Sequence, residues 1–256
     1  MSELQSRETD LASLVPENAI DAAFRISSLE YWPKVEQIGQ GAFGKVWKHG
    51  TPRKETPFAA GKHMKVQLWN LNKEQKEDLE FRVNSFIREV DVLTKVSSKC
   101  HERFVQFIGC YLDSKKLILF TEWMPNGSVK NHIIERPLDE TTALKYTFQA
   151  TQGLHFLHHY KGGRNIHRDI KCDNLLLTID NNVKLADFGL AHGLVVNNDS
   201  YTISQSAPSG FHGTIIYAAP EVLTGETYGR RADIWCVFLL DYLSDIMSTM
   251  KRKELA

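Results

Sequence analysis

"IGQGAFGKVW", residues 38–47, places Gly39, Gly41 and Gly44 at G-x-G-x-x-G spacing. A dinucleotide site, a nucleoside triphosphate site and an ordinary tight turn all use that pattern, so the flanks have to decide. Upstream, "YWPKVEQI" is short, aromatic and β-branched with a proline near its start, which predicts an edge strand. Downstream, "KVWKHG" alternates polar and apolar residues and stops at Gly50, which predicts a second strand. A dinucleotide fingerprint needs a helix directly after its glycines, because the helix N-terminus holds the pyrophosphate. That helix is missing, and no G-K-[S/T] follows to make a P-loop. Two readings of the ten residues stay open. One is a glycine-rich hairpin that can lay backbone N–H groups over phosphates because no Cβ intervenes. The other is a plain hairpin turn.

The 256 residues, 42% of them apolar, can bury one sizeable core or two small ones. Lys+Arg and Asp+Glu balance at 31 each, so no net charge draws the chain to nucleic acid or to a membrane surface. No N-terminal apolar run ends in a small-residue cleavage site, and no apolar stretch reaches the roughly 18 residues a span requires. The nearest, "WCVFLL" at 235–240, is too short and is followed by Asp241. Cys100, Cys110, Cys172 and Cys236 form no C-x-x-C pair and suggest no disulfide framework, which fits a reduced, cytoplasmic setting.

Farther along, "FAAGKHMKV" predicts a strand carrying Lys62. In residues 72–96, Leu79, Val83, Phe86, Val90 and Leu93 recur at three- and four-residue steps behind Asn72, a plausible N-cap. This predicts an amphipathic helix on which Glu89, next to Val90, can reach inward to a strand lysine. Then come "NIHRDIKCDNLLL" (165–177), "VKLADFGLA" (183–191) and "GTIIYAAPEVL" (213–223). With these in place the sequence resembles the eukaryotic protein kinases. The matches run in the family's order: G-x-G-x-x-G-x-V at Gly39–Val46, A-x-K at Ala60–Lys62, Glu89, H-R-D-x-K-x-x-N at His167–Asn174, D-F-G at Asp187–Gly189 and A-P-E at Ala219–Glu221.

The resemblance implies an α+β fold of two lobes. Residues 31–122 would form a β-rich N-lobe with the Glu89 helix, and 123–236 a mostly helical, partial C-lobe. Residues 1–30 would be an extension and 237–256 a divergent tail, with ATP in the cleft between the lobes. It also implies roles. Gly39, Gly41 and Gly44 close over the phosphates. Lys62, oriented by Glu89, holds the α- and β-phosphates. Asn174 and Asp187 offer oxygen ligands suited to Mg²⁺. Asp169 accepts or orients the incoming hydroxyl proton, and Lys171 meets the γ-phosphate. Val46, Ala60 and Leu176 sandwich adenine, and backbone groups of Glu122 and Met124 face it, with Thr121 at the gatekeeper position.

Lys171 after H-R-D and the Gly-Thr opening of "GTIIYAAPE" resemble the serine/threonine kinases, and Thr214 would then sit beside Asp169 and Lys171. "GQGAFGKVW", "EWMPNGSV" and "HRDIKCDNLLL" look most like the MAP kinase kinase kinase branch, whose protein substrate is another kinase, such as a MAP kinase kinase. Arg168 next to Asp169 implies a phosphate acceptor for the activation segment. Ser206 or Ser209 is the preferred donor among Ser200, Tyr201, Thr202, Ser204, Ser206 and Ser209, set against a simply serine-rich flexible loop.

His155 and His159 stand one helical turn apart, but no Cys or carboxylate joins them to complete a metal site. "PENAIDAAFRI" (16–26) predicts either a short helix packed on the small lobe or a frayed tail. After "RRADIWC", where Asp233 is expected to brace the catalytic loop, the family pattern breaks off. Phe238 stands at its usual glycine, and Phe238, Tyr242 and Ile246 recur every four residues as a candidate covering helix. An inactive kinase-like module that binds nucleotide or a partner is therefore the alternative to a working enzyme.

Overall fold

The computed structural model describes residues 8–41, 44–97, 99–100, 102–161, 164–197, 200–203, 214–226 and 228–238, with backbone alone between 194 and 203. The chain forms two compact bodies: Met1–Thr94 with Gln106–Trp123, and Lys95–Val105 with Met124–Ala256.

The first body is built on a five-stranded antiparallel sheet of β1 (Lys34–Gly41), β2 (Gly44–Gly50), β3 (Phe58–Met64), β4 (Phe107–Leu112) and β5 (Leu117–Glu122), ordered β1-β2-β3-β5-β4. The glycine stretch is the β1–β2 hairpin, with Gly41 opposite Gly44, and a strand does follow the glycines. Successive residues of a strand face opposite sides, which sorts β3 into two sets. On one side Ala59 and Gly61 meet Trp32, Ile118 and Phe120, the centre of the core; a Cβ on Gly61 would lie 2.7 Å from the His49 ring. On the other side stands Lys62. The helix α2 (Lys73–Val96), whose last two residues group with the second body, buries Leu79, Val83, Phe86, Val90 and Leu93, the residues of the predicted stripe. Asn72 caps it reciprocally: Gln75 N donates to Asn72 Oδ1 at 2.8 Å and Asn72 N to Gln75 Oε1 at 3.0 Å.

Of the two expectations for residues 16–26, the short packed helix is met only in part, by a three-residue 3₁₀ turn set against β4. A four-residue helix α1 (Leu11–Leu14) and a 3₁₀ turn (Ala22–Phe24), capped by Asp10 and Asp21, are joined by a turn closed by Ala19 N donating to the Pro16 carbonyl at 3.0 Å. Leu11, Val15, Ile20 and Trp32 are all buried, and Phe24 packs on Phe107 at 5.1 Å.

A histidine pair lies inside this body. His49 Nδ1 is 2.7 Å from the Trp32 carbonyl, which can only accept, so Nδ1 carries the proton. His49 Nε2 then accepts from His63 Nε2 at 2.9 Å in the neutral pair. Burial lowers both pKa values, that of His63 to about 3 with the charges of Lys34, His49 and Lys116 adding to the effect.

The second body holds α3 (Val129–Glu135), opened by a Ser128–Asn131 capping box, and α4 (Glu140–His159), capped by Asp139. It also holds the short strands β6 (Asn165–Ile166), β7 (Leu175–Leu177), β8 (Val183–Leu185), β9 (His192–Asn197) and β10 (Ser200–Ile203), and the one-turn helix α5 (Pro220–Leu223). Gly153 lets α4 approach β8 closely, since a Cβ there would lie 2.8 Å from Leu185 Cδ1. Gln149 of α4 accepts from Val183 N at 2.8 Å, fixing the β7–β8 hairpin on the helix. Residues 230–238 are helical, and Asp233 within them is 1% exposed. Tyr242 and Ile246, and with them the candidate covering helix, lie outside the described residues, as do Ser204, Ser206 and Ser209.

Candidate active site

In the first body, Lys62 Nζ donates to Glu89 Oε2 at 2.8 Å, joining the middle of β3 to α2. The Glu89 side chain is 7% exposed and that of Lys62 21%, so the pair is largely withdrawn from water, where charge–charge interactions strengthen. Met64, Ser85 and Phe86 line a small cavity beside it. Val46 lies opposite both Gly39 and Lys62 in the sheet, and Ala60 opposite Thr121. Glu122 ends β5 with its carboxylate accepting from Gln106 N at 2.8 Å.

The three glycines serve different purposes. Gly44 has φ +153°, and a Cβ there would come within 1.9 Å of the His63 carbonyl oxygen, so the fold itself demands glycine. Gly39 has only ordinary contact with Val46, and a Cβ on Gly41 would meet nothing within 4 Å among the described residues. At Gly41 the protein's own packing leaves the absence of a side chain unexplained. An open backbone edge of that kind fits a phosphate chain.

In the second body, the loop between β6 and β7 carries Asp169, Lys171 and Asn174 and brings them into one network. Asp169 Oδ2 accepts from Lys171 Nζ at 2.7 Å and from Asn174 Nδ2 at 3.0 Å, while Oδ1 accepts from Thr214 Oγ1 at 3.1 Å. Lys171 Nζ also donates to Thr214 Oγ1 at 3.0 Å. Asn174 uses its amide N–H groups on Asp169, leaving its Oδ1, a hard oxygen of the kind Mg²⁺ takes. Asp187 follows Ala186, whose N–H donates to the Asn174 carbonyl at 3.0 Å. Asp187 has φ +62° and Arg168 φ +71°, left-handed values that cost a non-glycine residue about 1–3 kcal/mol and collect at functional sites. Phe188, fully buried between Phe104 (5.7 Å) and His167 (4.8 Å), anchors the turn that presents Asp187. Leu176 is in β7, paired with Lys184, and Met124 is buried.

Beneath this loop lies Asp233. Its Oδ2 accepts from His158 Nε2 and His167 N, both at 2.7 Å, and its Oδ1 from Arg168 N at 2.8 Å. Burial pushes its pKa up, but the His158 hydrogen bond, the charges of His158 and His167 and the His167 amide outweigh it and leave the carboxyl below the usual range. The bracing by Asp233 was legible in the sequence; its partner His158, 75 residues away, was not.

Arg168 sits 5.6 Å from the Tyr228 ring centroid, and its Nε and Nη2 are buried without a hydrogen-bond partner among the described residues. A small, partly open pocket of about 20 Å³ adjoins it, lined by Asp169, Thr214, Tyr217 and Cys236 among others. Burial raises the thiol pKa of Cys172 to about 11 and of Cys236 to about 12, so neither cysteine is a thiolate nucleophile at neutral pH.

The His155 and His159 rings lie 4.5 Å apart, with the ring nitrogens of His159 engaged by other groups. His159 Nδ1 is engaged with the His155 carbonyl at 2.8 Å and its Nε2 with Arg230 Nη1 at 2.8 Å, and no metal-ligating cluster occurs among the described residues. No helix among them is long and apolar enough to cross a membrane.

The protein kinase domain family matches residues 32–244. The chain is 33% identical over 225 residues to the serine/threonine-protein kinase flr-4 of Caenorhabditis elegans, covering 84% of this chain and 39% of that protein. It is 33% identical over 207 residues to human mitogen-activated protein kinase kinase kinase 3, covering 80% of this chain and 30% of that protein. To human mitogen-activated protein kinase kinase kinase 19 it is 34% identical over 208 residues, 80% of this chain and 14% of that protein. The chain therefore spans well under half the length of these relatives.

Proposed function

The chain belongs to the protein kinase family, and from that premise we propose that it phosphorylates serine or threonine residues of a protein substrate, using ATP and Mg²⁺. The observation that carries this reading is the network in which Lys171, Asn174 and Thr214 all converge on the Asp169 carboxylate.

The γ-phosphoryl group and the positive charge that offsets it come from Mg²⁺-bound ATP. The chain's own residues position and neutralise. Lys62, kept in place by Glu89, holds the α- and β-phosphates, and the backbone at Gly39 and Gly41 lies against the phosphate chain. Asn174 Oδ1 and the Asp187 carboxylate hold the metal. Val46, Ala60 and Leu176 contact adenine, and backbone groups of Glu122 and Met124 hydrogen-bond it. Asp169 Oδ1 takes one donor among the described residues and keeps a lone pair for the substrate hydroxyl proton. Lys171, shared between Asp169 Oδ2 and Thr214, supplies positive charge for the transferring phosphoryl oxygens.

The substrate is another protein kinase, a MAP kinase kinase. The likeness to two mitogen-activated protein kinase kinase kinases supports this. A cytoplasmic location and the division into an N-lobe at 31–122 and a C-lobe at 123–236 belong to the same reading. Arg168, with two buried nitrogens that find no partner among the described residues, receives a phosphate from the activation segment.

The test is radiolabelled phosphate transfer from ATP by the purified chain, with Asp169→Asn as control. Incorporation that falls at least about 100-fold in the variant supports the enzyme. ATP binding with no incorporation by either protein supports a nucleotide-binding module instead.

A further inference from the structure

The N-terminal residues 8–15 make a continuous mechanical connection within the first body. Thr9 N donates to the Leu68 carbonyl at 3.0 Å, gripping the segment that leads into α2. Next to Leu68, Gln67 Oε1 accepts from Gln75 Nε2 at 3.2 Å, and Gln75 is one half of the α2 capping box. On the other side, Leu11 N donates to the Ser114 carbonyl at 3.0 Å, and Glu8 pairs with Lys115 at 3.3 Å. Ser114 and Lys115 lie in the β4–β5 turn. That turn is itself fixed by Asp113, whose Oδ1 accepts from Lys115 N and Lys116 N, both at 2.7 Å, and whose Oδ2 accepts from Tyr111 OH at 2.9 Å. Between the two grips, Leu11 is completely buried.

Farther along the chain, residues 24–26 are fitted to β4. Ile26 N donates to the Cys110 carbonyl at 2.8 Å, and the register of β4 shifts between Phe107 and Gly109. A Cβ at Gly109 would come within 2.8 Å of the Phe24 carbonyl. The sheet thus gives up a side chain where the segment passes, which marks the contact as part of the fold.

From this connection we propose that residues 8–15 are a positioning strap. They tie the leader of α2 to the rigid β4–β5 turn and so set where Glu89 meets Lys62. A helix tethered only at its far end can slide or tilt along the sheet, and the Lys62–Glu89 pair is sensitive to such a shift because hydrogen-bonding weakens steeply beyond about 3.2 Å. The catalytic meaning of the strap rests on the role proposed above for Lys62 and Glu89; the mechanical tie does not.

The test uses the full chain and two readouts that need no activity: amide hydrogen exchange, and the ¹⁵N resonance of Lys62 Nζ, calibrated by Glu89→Gln. Thr9→Pro removes the donor to Leu68, Leu11→Ala empties the buried site, and Leu11→Met is the conservative control. Thr9→Pro is expected to speed exchange about fivefold across residues 73–80, and Leu11→Ala about tenfold or more, while β5 keeps its protection. In both variants the Lys62 resonance moves toward its position in Glu89→Gln, and Leu11→Met restores the unsubstituted signal. Equal loosening of α2 and β5 overturns the proposal, because the segment would then be ordinary core. So does an unmoved Lys62 resonance, or a chain in which neither readout responds. Phosphate transfer that survives Lys62→Met would defeat the kinase roles and leave the tie standing.

Discussion

In the first body, Lys62 and Glu89 stand on a strand and a helix, each held by repeating backbone geometry, and they meet through one bond of 2.8 Å. In the second body, Asp169, Lys171 and Asn174 stand on a loop with little repeating backbone geometry, a single 3₁₀ turn at Cys172–Asn174. Two of its amides are instead satisfied by the buried Asp233, which His158 also holds. Both regions place charged groups within hydrogen-bonding distance of one another. The first does so with packing spread over many apolar residues, the second with a few polar bonds converging on one carboxylate. The second should therefore be the more fragile to a single substitution.

The largest expected effect follows from that contrast. Asp233→Ala leaves two buried amides and His158 without their acceptor and should destabilise the second body by about 3–5 kcal/mol. Hydrogen exchange resolved by segment should show protection lost around residues 165–177 and kept in β3 and β5. Uniform loss would mean that the bodies do not differ in this way.

Within the first body, Gly44→Val forces a side chain into the space 1.9 Å from the His63 carbonyl and should cost about 1–3 kcal/mol of stability. Gly41→Val meets no described neighbour, so its melting temperature should stay within a degree or so of the parent, about ±0.5 kcal/mol. Its ATP affinity, measured by calorimetry, should nonetheless fall. Equal melting losses would erase the distinction between a structural glycine and a ligand-facing one.

Acid should also separate the bodies. His49 and His63 have lowered pKa values in the fold, so the unfolded chain binds more protons below their ordinary value of 6.5. The stability they contribute is complete above pH 6.5 and drains away as pH falls toward about 3. Asp233, lowered from 3.8, keeps its contribution until pH falls below that value and through its folded pKa. Exchange protection in β2 and β3 should decline in mild acid before protection at His167 and Arg168 does, and His63→Gln should reduce the mild-acid sensitivity. The smallest effect belongs to the exposed Lys130–Asp173 pair: despite its 2.7 Å distance, Lys130→Ala should change stability by no more than about 1 kcal/mol.

What the sequence disclosed follows the same division. The hairpin was legible because its flanks alternate like strands, and α2 because its apolar residues recur at helical spacing behind Asn72. The same patterns place Glu89 on α2 and Lys62 on the strand β3. The convergence of Asp169, Lys171, Asn174 and Thr214 came from the resemblance to a family, since a loop has no period to read. His158 on Asp233, the His49–His63 pair and the strap at residues 8–15 left no local signature. Each depends on partners far apart in the chain, and the strap's helix of four residues is too short to show a stripe. Asp10, a good N-cap residue, was a hint of the strap's short helix, as Asp21 was of the 3₁₀ turn that follows it.

The most direct test of the central claim is the single-turnover rate of phosphate transfer from Mg²⁺-ATP to a protein substrate by the chain carrying Lys62→Met. The account predicts a rate reduced by at least about 100-fold, with the second body still folded, because the phosphates lose their positioning charge and Glu89 loses its cation. A rate equal to that of the unsubstituted chain would contradict it.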